Sequence, residues 1–244
     1  VKDYRNIEVQ NALKRPLDIC IVTYNRPFYL KKCIWSIIAS TKCPYRIFVI
    51  DDNSTEKETK KFLDEMLERE LVHKVIYNRT GKGTATNFNA VIDASDSKLF
   101  VMANDDMYFY RYWDFAALDI YDTYQDCGMV TFFDYTRYNF DEGVEEMNDY
   151  VLKVPRTGLG ATLVNRELYK KAGKFRLPRG RRMGFFATKF CVSATRTGYE
   201  RNGHYATVPN YAAHMDLRHS KLNERDISAD SGYIEHRRLH KKTK

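Results

Sequence analysis

No run of about 18 apolar residues occurs in this chain, which argues against a membrane-spanning helix. The opening residues VKDYRNIEVQ lack the apolar centre of a signal peptide. There is no C-x-x-C pair. The five cysteines (Cys20, Cys33, Cys43, Cys127 and Cys191) are odd in number and widely spaced. That argues against a disulfide framework and for reduced thiols in a cytoplasmic setting, several of them packed as small hydrophobes. No internal repeat is visible. The one glycine-rich loop, Thr80-Gly-Lys-Gly-Thr84, lacks the first glycine of a phosphate loop and has Gly83 where Ser or Thr should follow Lys82. A nucleotide-triphosphate P-loop is therefore excluded.

Acidic residues are scarce in the last third. Residues 1–155 hold 20 Lys+Arg against 25 Asp+Glu, a net of −5, whereas residues 156–244 hold 20 against 7, a net of +13. A field of that strength favours an anionic partner such as nucleic acid, an anionic membrane surface touched peripherally, or an acidic glycan; a merely solubilising surface is the plain alternative.

What is present is a strand–helix alternation. Leu17 to Thr23 is apolar and rich in β-branched residues, as a buried parallel strand is. Pro27 is placed to open a helix, and Leu30, Ile34, Ile37 and Ile38 follow at helical spacing. Arg46 to Ile50 reads as a second strand and Glu56 to Glu70 as an amphipathic helix with Phe62, Leu63, Met66 and Leu67 on one face. Val72 to Tyr77, Thr84 to Ala94 and Lys98 to Ala103 continue the pattern as strand, helix and strand. Four strands joined by three helices predict a parallel α/β sheet with right-handed crossovers, whose ligands gather beyond the C-terminal strand ends. Thr23-Tyr24-Asn25, Asp51-Asp52 and Asn104-Asp105-Asp106 all fall at those ends. Adjacent carboxylates there suit magnesium or manganese, which take oxygen ligands from one or two acids and from substrate phosphates. Helix capping and turn formation are the plain alternatives for the two acidic clusters.

Further on, Tyr112 to Tyr124 reads as a helix, Met129 to Phe133 and Gly160 to Val164 as strands, and Asn139 to Tyr150 as an acidic loop. Asn165 to Ala172 reads as a helix capped by Asn165 and stopped by Gly173. Leu177 to Gly184 is a basic loop, and Ser220 to Lys244 has the composition of a partly disordered tail. The expected organisation is an N-terminal extension (1–16), a nucleotide-sugar binding half (17–110), an acceptor-binding half (111–219) and a basic C-terminal tail (220–244).

The ordered segments ICIVTYNRP, VIDDNST, TGKGTATNFNA, MANDDM and GLGATLVNRELYKKAGKF resemble family-2 glycosyltransferases across residues 17 to 215. The resemblance implies the GT-A (Rossmann-like) α/β fold: a mixed, mainly parallel sheet flanked by helices in a single domain. It also implies a metal-dependent, hexosyltransferase-like enzyme moving a sugar from a UDP-linked donor to a hydroxyl group. Thr23, Tyr24 and Asn25, with Arg26 beside them, match the family's donor-binding first-strand motif. Asp52 matches the acid that accepts a hydrogen bond from the base. Asp105 and Asp106 match the ribose and metal acids, with Asn104 in place of the usual leading Asp. His214 matches a histidine that can complete the metal site, and a surface or core histidine is its plain alternative. Lys82 is a basic residue over the donor or part of a flexible turn. Asn87 and Asn89 bracket the family's helix asparagine. Arg181 and Arg182 are placed to clamp a diphosphate, since arginine pairs with phosphate oxygens in a bidentate way, or equally to contact an anionic acceptor, with a solvated basic loop as the plain alternative.

The expected acceptor is a cell-surface glycan or lipid-linked sugar. An inverting transferase needs a carboxylate base near the acceptor hydroxyl. The matching stretch, Met183 to Phe190, contains no acid. Asp134 and Asp216 are the candidate bases, and inversion or retention stays open. Two rival readings remain: glycosylation of hydroxyl-bearing modified bases in DNA, motivated by the basic third, and a catalytically dead nucleotide- or glycan-binding protein, motivated by the missing acid.

Overall fold

Period-two alternation along buried strands decides the architecture. The computed structural model describes residues 15–132, 143–176, 185–208 and 210–215. In β1 (Leu17–Thr23), Leu17, Ile19 and Ile21 face one hydrophobic core while Cys20 faces another. The same split separates Ile47 and Val49 from Phe48 and Ile50 in β2 (Tyr45–Asp51), and Val101 and Ala103 from Phe100 and Met102 in β4 (Leu99–Asn104). A sheet buried on both faces needs helices on both. α1 (Pro27–Ser40), α2 (Lys57–Glu68) and α4 (Trp113–Thr123) contribute to the first core. α3 (Thr84–Asp93), α5 (Arg166–Ala172) and α6 (Phe185–Thr195) contribute to the second.

The remaining strands are β3 (Lys74–Tyr77), β5 (Met107–Phe109), β6 (Cys127–Thr131), β7 (Glu145–Asn148), β8 (Val151–Lys153), β9 (Ala161–Asn165), β10 (Gly203–Thr207) and β11 (Ala212–His214). The main sheet has the order β3-β2-β1-β4-β9-β6-β10-β8-β7. β1 to β4 are mutually parallel, β9 runs antiparallel between β4 and β6, β10 is parallel to β6, and β8 is antiparallel to β10 and β7. The mixed, mainly parallel sheet flanked by helices is therefore as expected. Asn165 caps α5 as read from sequence: its side chain accepts the Glu167 N–H, and Gly173 follows at φ 86°.

Part of the second half differs from expectation. The acidic stretch ending at Tyr150 is not all loop: Glu145–Asn148 forms β7, an edge strand paired with β8. Its exposed, charged side chains carry no apolar alternation, and charge is how exposed sheet edges are protected. His214 is the last residue of a short strand, β11.

The sheet end remote from the candidate site is a structural ion network. Asp18 is fully buried and accepts a fork from Arg46, its register partner on β2 (2.9 and 3.0 Å), plus the N–H groups of Asp96 (2.9 Å) and Ser97 (2.8 Å). All five cysteines are buried and free of disulfides. Burial pushes the Cys20 thiol up to about 12, so it packs as a small neutral hydrophobe. Among the described residues, no helix is long and apolar enough to cross a membrane.

Candidate active site

The parallel pairing of β1 with β2 and β4 sets the polar clusters side by side: Thr23 is in register with Asp51, and Val22 with Asn104. Asp105 and Asp106 form the turn between β4 and β5, with side chains only 6% and 7% exposed. Thr23 Oγ1 donates to Asp105 Oδ2 at 2.7 Å. Arg26 Nη1 reaches both acids, at 2.7 Å to Asp106 Oδ2 and 3.3 Å to Asp105 Oδ1. The two-stranded β5–β11 sheet brings in His214, opposite Met107. The Met215 N–H donates to the Asp106 carbonyl (2.7 Å), and His214 Nδ1 lies 3.4 Å from Asp106 Oδ1.

Environment separates the two acids. Burial raises the Asp105 carboxyl to about 6, assisted by the neighbouring Asp106 charge and opposed by Thr23 and Arg26. Burial acts on Asp106 too, but His214 and Arg26 outweigh it and hold that carboxyl below the ordinary range. Asp106 Oδ1 is buried and accepts no well-formed hydrogen bond. A carboxylate oxygen in that state, facing an imidazole nitrogen, fits a divalent cation of the manganese type. Among the described residues, no group of three or more His, Cys, Asp or Glu is arranged to hold a metal ion. A cation between Asp106 and His214 therefore needs further ligands from water or a substrate phosphate, as magnesium-type sites commonly do.

A second network surrounds Asp52. Its carboxylate accepts the N–H groups of Lys82 (2.7 Å) and Gly83 (3.0 Å) and the Asn78 side-chain amide (3.0 Å). Burial pushes the Asp52 carboxyl up, but Asn87, these loop amides and Asn78 pull it further down, so the net shift is downward. Gly83 sits at φ 79°, a conformation that favours glycine, where the loop enters α3. Lys82 lies on this exposed loop. Asn78 Nδ2 also donates to Asn87 Oδ1 at 2.8 Å. Asn89 instead bonds the Phe175 backbone and the Tyr169 hydroxyl, a packing arrangement. Of the two helix asparagines, Asn87 is the one that faces the site.

Asn25, at φ 51°, accepts the N–H groups of Thr55 (2.7 Å) and Glu56 (3.1 Å), tying the first loop to the start of α2. Tyr24 stands 54% exposed beside it, with its ring free to meet a planar ligand. Thr23, Arg26, Asp105, Asp106 and His214 thus form one cluster, and Asp52, Lys82 and Asn87 a neighbouring one. Arg181, Arg182, Asp134 and Asp216 lie outside the described residues. Asn78 was not foreseen, although its place one residue past the end of β3 obeys the strand-end rule that marked the other clusters. The double contact of Arg26 had no sequence signal, because it depends on the loop conformation before α1.

The family model of glycosyl transferase family 2 matches residues 18–190. The chain belongs to glycosyl transferase family 2. Membership bears out the family resemblance read from the motifs. Solved structures agree in fold. One is the mannosyltransferase PcManGT from Pyrobaculum calidifontis in complex with GDP-Man and Mn2+, with TM-score 0.60, 19% identity, and coverage of 80% of this chain and 54% of that one. S. aureus TarS 1-349 in complex with UDP-GlcNAc aligns at TM-score 0.60 and 14% identity, over 87% and 69%. GalNAc-T7 with UDP, GalNAc and Mn2+ aligns at TM-score 0.57 and 14% identity, over 79% and 44%. At these identities the likeness establishes the GT-A fold. This family-2 chain spans about half the length of PcManGT and less of GalNAc-T7. No curated protein matches it.

Proposed function

We propose that this chain transfers a sugar from a nucleotide-sugar, UDP-linked, to a hydroxyl acceptor, with manganese or magnesium held by Asp106 and His214. The observation that carries the reading is the buried Asp106 Oδ1 facing His214 at the mouth of four parallel strands. When bound, a divalent cation supplies Lewis-acid charge to the leaving diphosphate. Thr23 orients Asp105 through its hydroxyl, which fits Asp105 to receive a ribose hydroxyl. Tyr24 offers an exposed ring to the base. Asp52 holds the Lys82 loop beside the donor, so its contribution to the base and its hold on that loop act together. UDP or a UDP-sugar in two of the similar structures supports the choice of nucleotide, and Mn2+ in two supports the metal; the GDP-Man complex makes guanine the alternative to test.

The base that takes the acceptor proton is assigned to Asp134 or Asp216. Both border site segments in sequence. Asp216 follows Met215, whose N–H bonds the Asp106 carbonyl; Asp134 lies two residues after Phe132, whose carbonyl accepts the Tyr211 and Ala212 N–H groups. The acceptor belongs with residues 111–219, and a glycan or lipid-linked sugar is the leading choice. The net +13 of residues 156–244 favours one second reading, a modified base in DNA as acceptor. Binding to DNA that weakens steeply with salt supports it, and no binding to DNA removes it.

Asp106→Ala tests the main reading. Sugar transfer or donor hydrolysis should fall at least about a hundredfold, the scale of losing one transition-state electrostatic contact, with the circular dichroism spectrum unchanged. Wild-type turnover in a folded Asp106→Ala protein refutes it.

A further inference from the structure

Two adjacent acids buried to 6% and 7% exposure need a counter-charge, and Arg26 provides it. Its guanidinium touches Asp105 and Asp106 at once and lies 5.1 Å from the Tyr29 ring centre. The Arg26 side chain is 28% exposed, so the route away from the acids leads towards solvent. On Asp106 it takes Oδ2 and leaves Oδ1 towards His214. A divalent cation drawing on either oxygen meets a carboxylate whose charge Arg26 already shares.

We propose that Arg26 is a built-in stand-in for the divalent cation, balancing Asp105 and Asp106 until cation and nucleotide arrive together. The proposal rests on the metal site assigned to Asp106 and His214. A diphosphate offers the displaced guanidinium a second anionic partner with matching bidentate geometry. The cation therefore binds weakly by itself and tightly with a nucleoside diphosphate. Arg26 gates the site without being consumed in the reaction, and its effect is read in metal binding.

The experiment titrates Mn2+ into the full chain, following the free-ion signal by electron paramagnetic resonance, with and without UDP. Wild type should bind Mn2+ about tenfold more tightly when UDP is present, the equivalent of one charge-assisted hydrogen bond released. Arg26→Gln should bind Mn2+ alone about tenfold more tightly than wild type, with a smaller further gain from UDP. Arg26→Lys keeps the charge but loses the planar guanidinium that pairs bidentately with a diphosphate and should fall between them; it also serves if the Gln variant folds poorly. Equal Mn2+ affinity in wild type and both variants overturns the proposal while leaving the metal site intact, provided Asp106→Asn abolishes binding. Mn2+ binding that survives Asp106→Asn, or no binding to any form, overturns the metal site and the proposal together.

Discussion

Asp52 carries a prediction that belongs to single atoms. Its carboxylate holds the Lys82 and Gly83 amides, so Asp52→Asn replaces one acceptor oxygen by a donor facing an N–H group. Donor affinity should fall about tenfold, measured by calorimetric titration of UDP, because a charge-assisted bond is worth roughly 1.5–3 kcal/mol. Unchanged affinity would mean that the loop is held without Asp52. At this scale much of the site was legible. Thr23, Asp52, Asp105 and Asp106 stand where strand-end reasoning put them, because parallel strands bring their C-terminal ends to one edge. The partner each side chain would choose was not legible. Asn25 bonds the start of α2, and Arg26 bonds both acids, through loop conformations that no local periodicity encodes.

His204 is a residue with a pH signature. It is 2% exposed, its Nδ1 lies 3.1 Å from the Pro155 carbonyl, and burial lowers its pKa to about 4. The folded imidazole stays neutral where the unfolded one, near 6.5, takes a proton. Its contribution is therefore complete above about 6.5 and is lost as pH falls towards 4. Between pH 7 and pH 5 wild type should lose on the order of 2 kcal/mol more stability than His204→Asn, by urea denaturation. Comparing the two proteins cancels the contribution of Asp105, whose raised pKa acts in the opposite direction. Parallel pH dependence in both would contradict the assignment to His204.

Among elements, β6 meets the chain near Arg201 and α5 with no space to spare. A Cβ on Gly128 would run into the Arg201 carbonyl and the Leu168 side chain. Gly128→Ala should lower stability by about 1–3 kcal/mol, seen as a lower urea midpoint with unchanged slope, because backbone cannot yield as a flexible side chain can. Stability equal to wild type would show that this contact relaxes freely. Most elements legible in sequence were long and strongly patterned: β1, β2 and β4 with α1 to α3, and the capped α5; β3, only four residues, was marked by its place in the strand–helix alternation. β5, β7, β8 and β11, three or four residues each, were not. Strands that short hold no full period of alternation, and they exist because neighbouring strands complete their hydrogen bonds. β5 and β11 matter most, since their pairing delivers His214 to Asp106.

At the level of the whole molecule, the mixed sheet and the small β5–β11 sheet together gather an acid pair, an imidazole, an exposed tyrosine ring and a loop held by Asp52. The charge asymmetry adds a positive field on residues 156–244, suited to an anionic partner. In the proposed reaction this edge binds a nucleoside diphosphate through a divalent cation. A thermal-shift panel of UDP, GDP and their sugar conjugates, each with and without Mn2+, tests it most directly, because a ligand bound only by the folded chain raises its melting temperature by mass action. A shift with UDP or UDP-sugars that requires Mn2+ and vanishes in Asp106→Asn is the expected result. A nucleotide shift of equal size without Mn2+, or no shift with any nucleotide, would contradict it.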